Sequence, residues 1–369
     1  MAGNQEPIDE DEIITAPTTD SSIVKILLSI ALRNGWPNKQ ADIAAAYLHA
    51  PLQKKVYAHL PIHYELYYSS TNSNTQCLLL KQSLYGLQVS GRNWFNHFTN
   101  ALYSLHFQKL YTCDTILYNR TDQSIIFCLI YVDDCMLTAS SNDLIHDTIN
   151  QLIQGSIDIK LLGNLKHFLG IEHTRTGAHT MTLHRPPNSS LKTNESPTKL
   201  PTPSYQYYLA TEQLSNAQPH EFPLRSHVGD YLFSALSTRP DLTFATISLS
   251  KLIEHPNAAT WKLCNRIQYY YKATANLKLH LNAPPKGTPQ FHIYCHSDHA
   301  SDPITRTSVG GFIVYYGNMP IYWMTKSSKN ICTSSTQSEL EAAYTAVNNT
   351  PVGCIKSYKN SIKYWASHP

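Results

Sequence analysis

Two kinds of apolar spacing divide the chain into predicted helices and strands. Helical spacing, with apolar residues at i, i+3, i+4 and i+7, covers residues 23–30, 94–105 and 144–152. It returns as two segments over residues 224–280 and again from residue 334 onward. Polar residues that can cap a helix precede the first and third segments. Helices are therefore predicted in several separate stretches of the chain.

Short β-prone runs predict strands between these helices. The runs cover residues 38–43, 77–81, 127–132, 135–139, 290–297, 309–316 and 320–325. Only Asp133 and Asp134 separate the third run from the fourth, which predicts a β-hairpin with two carboxylates in its turn. Because helices and strands alternate, we expect an α/β (α+β) fold.

Composition limits the class of protein without identifying a partner. The 369 residues carry a formal net charge of +3, which neither indicates nor excludes nucleic acid. The eight cysteines form no C-x-x-C pair, and Cys295 with His299 would supply only two metal ligands. The acidic first 22 residues lack the apolar segment of a signal peptide, and no apolar run is long enough to span a membrane. We therefore expect a cytoplasmic or nuclear location, without secretion or membrane contact.

Asp42, Asp133 and Asp134 are the candidate catalytic residues. Two adjacent carboxylates in a hairpin turn repel each other and attract a divalent cation, although aspartate is also common in ordinary turns. Asp42 ends the predicted strand 38–43, just before a predicted helical turn over residues 44–48, where a helix cap is the alternative reading. Three such carboxylates could hold two magnesium ions for phosphoryl transfer.

Four ordered motifs resemble those of reverse transcriptases, and in particular of copia-type retrotransposons. They are QADIAAAYLHAPL at residues 40–52, LYGLQVSGRNWF at 84–95, YVDD at 131–134 and LGNLKHFLGI at 162–171. The resemblance implies a palm-and-thumb polymerase fold with partial fingers, followed by a truncated ribonuclease H-like mixed sheet. It predicts four segments: a disordered acidic N-terminus (1–20), a palm with partial fingers (21–185), a thumb or connection (186–285) and the ribonuclease H-like domain (286–369).

The resemblance also implies roles for single residues. Asp42, Asp133 and Asp134 would be the metal ligands and catalytic residues, with Mg²⁺ as the cofactor and Mn²⁺ as a substitute. The partners would be an RNA or DNA primer-template and deoxynucleoside triphosphates.

Three further residues are expected to bind the nucleotide. Tyr47 would lie under the sugar and exclude a 2′-hydroxyl, with core packing as the alternative. Gly86 would allow close approach of the backbone. Gln88 stands where the family usually has lysine.

Residues 290–340 resemble the start of a ribonuclease H domain. Asp298 and Glu339 match the first two of the four carboxylates with which the family holds two metals there. No aspartate follows Asp302, and a segment over residues 358–363 that resembles a later family motif lies unusually close to Glu339. We therefore expect a vestigial site without ribonuclease H activity.

Two functions remain open at this point. The first is an RNA-directed DNA polymerase, which the three aspartates favour. The second is a non-catalytic remnant of a decayed element that still binds nucleic acid. The expected absence of the upstream fingers hairpin, which would hold the nucleotide triphosphate, and the shortened ribonuclease H domain favour the second.

Overall fold

The computed structural model describes residues 14–60, 77–111, 113–187, 223–254, 256–284, 291–302 and 305–349. These residues form a mixed α/β structure, as the alternation of helical and strand-like segments predicts. Their helices are α1 (Ser21–Asn34), α2 (Ser90–Ser104), α3 (Asn142–Gln154), α4 (Leu224–Ser237), α5 (Thr243–Ser250), α6 (Ala258–Ala273) and α7 (Ser335–Asn349).

The strands come in two series along the chain. The first is β1 (Asn38–Ile43), β2 (Pro51–His59), β3 (Cys77–Gln82), β4 (Gln108–Leu110), β5 (Cys113–Arg120), β6 (Ile125–Tyr131), β7 (Asp134–Ala139) and β8 (Ile159–Asn164). The second is β9 (His167–Phe168), β10 (Ile171–Gly177), β11 (Thr180–His184), β12 (Leu279–Asn282), β13 (Phe291–Asp298), β14 (Val309–Tyr316) and β15 (Met319–Ser327). Every strand predicted from the sequence is present within two residues of its expected bounds.

The chain separates into two compact units, of residues 1–19 with 36–165 and of residues 20–35 with 166–369. These bounds differ from the four segments expected from the family resemblance, since α1 belongs to the second unit. The assignment of segments to palm, thumb and ribonuclease H therefore stays a prediction. The predicted linker and acidic N-terminus lie largely outside the described residues, and the segment 358–363 lies wholly outside them.

The first unit is built on a six-stranded antiparallel sheet in the order β4-β5-β6-β7-β1-β8. Strand β6 is buried from Ile125 to Ile130, as expected for a central strand that is covered on both faces. Helices α2 and α3 contribute their apolar faces to one core with β1, β6 and β7. Strands β2 and β3 form a separate antiparallel hairpin.

The hairpin between β6 and β7 turns one residue earlier than predicted. Its two loop residues are Val132 and Asp133, while Asp134 is the first residue of β7 and pairs with Tyr131. The reason is that Val132 accepts a left-handed conformation, with φ of 53°. Its carbonyl is held there by a hydrogen bond from the Trp94 indole, at 2.7 Å. The sequence prediction of a turn at Asp133–Asp134 was therefore wrong by one position.

The second unit contains a helical core and two antiparallel sheets. Helices α4, α5 and α6 pack together, and the segment 224–280 forms three helices rather than the two predicted. The additional break falls at a 3-10 turn, Pro240–Leu242, because proline cannot continue the preceding helix. One sheet has the order β12-β11-β10-β9 and the other β13-β14-β15.

Helix α1 begins as the sequence predicts, with Asp20 accepting a hydrogen bond from the Ser22 amide, and ends at Gly35 with φ of 68°. It is buried on nearly every side, including at Lys25. The Lys25 ammonium donates to the carbonyls of Leu236 and Ser237, at the end of α4. The buried cation is thus stabilised by the negative end of a helix dipole.

Helix α7 packs on the three-stranded sheet through small residues. Ser338, Ala342 and Ala346 are its buried positions, and a Cβ on Gly310 would lie 3.2 Å from the Ala342 Cβ. The apolar stripe that predicted the helix faces the other way, with Leu340 67% and Tyr344 72% exposed. Periodicity therefore identified the helix but not the side that is buried.

Candidate active site

The register of the central sheet brings the three predicted aspartates to one place. Asp42, near the end of β1, pairs with Asp134 at the start of β7, and Asp133 occupies the adjoining turn. Directly paired residues of antiparallel strands project from the same face of a sheet, with Cβ atoms about 5 Å apart. The amide of Ile43 also donates to the Asp133 carbonyl at 2.9 Å, which fixes the turn to the end of β1. The site is therefore held by backbone hydrogen bonds.

A lysine extends the same row of paired residues. Asp42 pairs on its other side with Lys160 of β8. One row of paired residues therefore crosses strands β6, β7, β1 and β8, and it consists of Tyr131, Asp134, Asp42 and Lys160. Lys160 is exposed and supplies a positive charge next to the carboxylates. Sequence reasoning missed this role, because a lysine in a strand has no signal of its own. Only the pairing of β1 with β8 reveals it.

Trp94 of α2 holds the turn between β6 and β7 through a hydrogen bond. Its ring is 1% exposed and stacks on Phe98 with a centroid distance of 5.3 Å, while its indole nitrogen donates to the Val132 carbonyl. A rigid aromatic anchor thus connects the buried face of α2 with the turn that carries Asp133. This arrangement fixes the position of the turn that carries Asp133.

Two side chains hydrogen-bond the carboxylates. The Tyr85 hydroxyl donates to Asp133 Oδ2 at 3.0 Å, and the Gln40 amide donates to Asp134 Oδ1 at 3.3 Å. The other oxygen of Asp133, Oδ1, is buried and accepts no hydrogen bond. An unsatisfied buried carboxylate oxygen is costly unless a cation or another donor fills the position.

Burial and mutual repulsion disfavour the charged form of the carboxylates at this site. Burial raises the pKa of Asp133, the hydrogen bond from Tyr85 opposes this, and the charges of Asp42 and Asp134 raise it further. Burial also raises the pKa of Asp134, with Gln40 opposing and Asp42 adding to the shift. Burial, followed by its bond to the Asp133 carboxylate, raises the pKa of Tyr85 to about 12. A divalent cation would relieve the repulsion among these carboxylates.

The predicted nucleotide-binding residues border the same turn. After β1 the chain reverses at Ala45, with φ of 51°, into a short 3-10 turn that presents half-buried Tyr47. The Tyr47 ring lies 4.5 Å from the Tyr85 ring. Gly86 follows with φ of 100°, a conformation that favours glycine, and Gln88 is exposed in the same loop. The structure thus brings Tyr47 and Gly86 near Asp133 through Tyr85.

The residues at this turn fit a divalent metal. Three carboxylates are hard oxygen ligands of the kind that Mg²⁺ prefers, and the free Asp133 Oδ1 has no other partner. In the described part of the chain, however, no three such ligands are already gathered into a cluster. Asp133 Oδ2 and Asp134 Oδ1 point instead to Tyr85 and Gln40.

The second predicted carboxylate pair lies in the second unit. Asp298 is the exposed last residue of β13, and Glu339 is in the first turns of α7. The Glu339 carboxylate pairs with His296 Nδ1 at 2.8 Å. His296 is two residues before Asp298 and therefore on the same face of the strand. The structure thus gives Glu339 a partner that the sequence analysis did not consider.

Comparison with known families identifies the class of protein. The profile of the family described as reverse transcriptase (RNA-dependent DNA polymerase) matches residues 4–197, just over half of the chain. The chain belongs to this family. The match covers the three candidate catalytic aspartates, Asp42, Asp133 and Asp134, and it confirms the resemblance that the four motifs carry.

The relatives narrow the comparison to retrotransposons of the copia type. The chain is 31% identical over 357 residues to the retrovirus-related Pol polyprotein from transposon RE1 of Arabidopsis thaliana, a match of 94% of this chain and 23% of the relative. It is 30% identical to that from transposon RE2 of the same plant, over 99% of this chain and 25% of the relative. It is 26% identical to the retrovirus-related Pol polyprotein from transposon TNT 1-94 of Nicotiana tabacum. That match covers 91% of this chain and 26% of the relative. The chain thus spans about a quarter of the curated relatives it matches.

In the described residues, none of the helices has both the length and the apolar character needed to cross a bilayer.

Proposed function

We propose that the chain carries an RNA-directed DNA polymerase centre, formed by Asp42, Asp133 and Asp134. The observation that supports it most is the register pair Asp42–Asp134 beside the turn residue Asp133. Asp42 and Asp134 project from one face of the sheet, and the Ile43 amide fixes the turn that carries Asp133.

In the proposed reaction, the metal and the residues of the chain have separate roles. Asp42, Asp133 and Asp134 would hold Mg²⁺, with Mn²⁺ as a substitute, which neutralises the phosphate and stabilises charge during displacement. The carboxylates fix the reaction centre to the sheet. Lys160 adds a positive charge beside them. Substrates would be a primer-template and deoxynucleoside triphosphates, and the location would be cytoplasmic or nuclear.

Tyr47 is proposed to select the sugar. Its ring is half-buried, packs on Tyr85, and its hydroxyl borders Gly91 at the start of α2. A ring held in this way would lie under the sugar of the incoming nucleotide and would exclude a 2′-hydroxyl. We expect Tyr47→Ala to raise incorporation of ribonucleotides relative to deoxynucleotides. Unchanged selectivity in this variant would show that Tyr47 only packs.

Primer extension on an RNA template tests the polymerase proposal. Wild type should extend the primer with Mg²⁺, whereas Asp133→Asn should lose at least about 100-fold in rate, because a metal ligand is removed. Asp122→Asn is the matched control, since Asp122 is also an exposed turn aspartate, between β5 and β6 of the same sheet. Equal extension by wild type and Asp133→Asn would contradict the proposal. Extension by none of the three proteins would support the alternative, a non-catalytic remnant.

The same proposal includes no ribonuclease H activity. Asp298 and Glu339 are the two candidate ligands that the family resemblance assigns here, and two carboxylates are too few to hold two metals for hydrolysis. The test incubates the chain with an RNA–DNA hybrid and Mg²⁺ or Mn²⁺. We expect the RNA to stay intact, and degradation that Glu339→Gln abolishes would contradict this part of the proposal.

A further inference from the structure

Tyr85 lies outside the predicted set but contacts a candidate catalytic carboxylate and a candidate nucleotide-binding ring together. Its hydroxyl donates to Asp133 Oδ2, and its ring lies 4.5 Å from that of Tyr47. It is nevertheless 47% exposed, so burial does not explain its position. A tyrosine that only filled a core would have neither feature.

The backbone on both sides of Tyr85 is fixed. Ser90 Oγ accepts a hydrogen bond from the Leu84 amide and donates to the Leu84 carbonyl, at 3.1 and 2.7 Å. The Ser83 amide donates to the Ala50 carbonyl, and Leu87 is buried. The loop therefore holds the tyrosine Cα in place. The exposed side chain is the part that can turn away from the site.

The hydroxyl of Tyr85 and a divalent cation would share the Asp133 carboxylate. A carboxylate oxygen has lone pairs for a phenol hydrogen bond and a metal together, but the charge of the metal weakens the hydrogen bond. Asp133 Oδ1 is free, but Oδ2 is directed to Tyr85. Coordination of a cation by both oxygens of Asp133 would thus weaken the bond that holds the Tyr85 hydroxyl.

We propose that Tyr85 is a positioning residue that holds Asp133 through its hydroxyl until a divalent cation displaces it. This rests on the proposed function, because it assumes that Asp133 is a metal ligand. Displacement also separates the Tyr85 ring from Tyr47, which opens the side of the site where the sugar is expected. Metal binding and nucleotide entry would then be coupled through one side chain.

Binding of Mn²⁺ to the full chain without nucleotide tests the proposal. Free Mn²⁺ is measured by electron paramagnetic resonance for wild type, Tyr85→Phe, Tyr103→Phe and Asp133→Asn. Tyr85→Phe removes only the competing hydroxyl, and we expect roughly three- to ten-fold tighter binding, the range that one net hydrogen bond is worth. Tyr103→Phe is the matched control, since Tyr103 is similarly exposed, at 43%, on α2 of the same unit. It should bind as wild type does.

The outcomes separate this inference from the proposed function. Unchanged or weaker binding by Tyr85→Phe, together with loss of binding in Asp133→Asn, overturns the role of Tyr85 and leaves the metal site in place. Wild-type binding by Asp133→Asn overturns the metal site itself, and with it the role of Tyr85. Tighter binding in Tyr103→Phe as well would also count against Tyr85, because the gain would not depend on its contact with Asp133.

Discussion

The turn that carries Asp133 holds a valine in a conformation that valine rarely adopts. Val132 has φ of 53°, and its side chain is 40% exposed. In two-residue hairpins, a positive φ at the first loop position is usually supplied by glycine. For a β-branched residue, such a conformation costs roughly 1–3 kcal/mol. The turn therefore stores strain next to a candidate catalytic residue.

Replacing Val132 by glycine should release this strain. Glycine adopts the same φ freely but costs roughly 0.5–1 kcal/mol in additional backbone entropy. Because the valine side chain is partly exposed, little burial is lost. We expect a net stabilisation of about 0.5–2 kcal/mol. At a urea slope of about 2 kcal/mol/M, the unfolding midpoint would rise by roughly 0.3–1 M.

The same substitution should reduce activity. A glycine turn samples more conformations, so the Asp133 carboxylate is held less firmly in the orientation that Trp94 and Ile43 enforce. We expect primer extension to fall by about ten-fold or more, since small displacements of a catalytic group are costly. Stability and activity would then change in opposite directions.

Val56→Gly is the control, because Val56 lies within strand β2 and is not among the residues with positive φ. That variant should be destabilised by about 1 kcal/mol, without relief of strain. A midpoint for Val132→Gly that falls as far as that of Val56→Gly would refute the strain argument. Equal stability with full activity would show that the turn does not depend on Val132 at all.

Three other substitutions test the packing around these features. Trp94→Phe removes the hydrogen bond to Val132 and part of a buried ring, so it should lower the free energy of unfolding by about 2–3 kcal/mol, measured with urea. A loss below about 0.5 kcal/mol would contradict the anchoring role of Trp94. Arg239→Met leaves the partly buried Asp241 carboxylate without its bidentate partner and should lower the free energy of unfolding by about 2–4 kcal/mol. The double variant with Asp241→Asn should recover part of this loss. No recovery would mean that the two residues are not coupled. Burial lowers the pKa of Lys25 from 10.5 to about 7, with the charge of Asp20 opposing, so between these pH values the unfolded chain holds a proton that the folded chain has lost. The free energy of unfolding should therefore rise with pH across this window, and Lys25→Met should flatten the rise; an unchanged pH profile would exclude Lys25 as its source.

The local part of the structure could be predicted from sequence because it depends on short-range signals. Apolar periodicity gave the helices, and β-prone runs gave the strands. The ordered motifs indicated the family, which the comparisons confirm. The roles of Asp42, Asp133 and Asp134 stay predictions, but their proximity follows from a register that the structure supplies.

The remaining features depend on contacts between distant parts of the chain. Lys160 becomes a neighbour of Asp42 only through the pairing of β1 with β8, which includes a bulge between Gln40 and Ala41. Tyr85 reaches Asp133 across 48 positions of sequence. No periodicity encodes either contact.

Two errors have a more local cause. The hairpin turn was misplaced because nothing in the sequence indicates a left-handed valine, and aspartate pairs are common in turns. The buried side of α7 was not predictable from hydrophobicity, because Ala342 and Gly310 allow a close approach that bulky residues would prevent. In both cases steric fit outweighed a simpler preference, which was that of aspartate for turns in the hairpin and that of apolar residues for the core in α7.

The register of β1 has a consequence for how genes of this kind can decay. Side chains in a strand alternate between faces, so a one-codon change between Trp36 and Asp42 would turn Asp42 inward. A deletion would bring the buried Ile43 to its place, and an insertion would bring the buried Ala41 there. Point substitutions elsewhere in the strand leave the alternation unchanged. Among related genomic copies, an odd number of codons gained or lost in this short interval would mark a copy in which Asp42 no longer pairs with Asp134, even where all three aspartate codons survive.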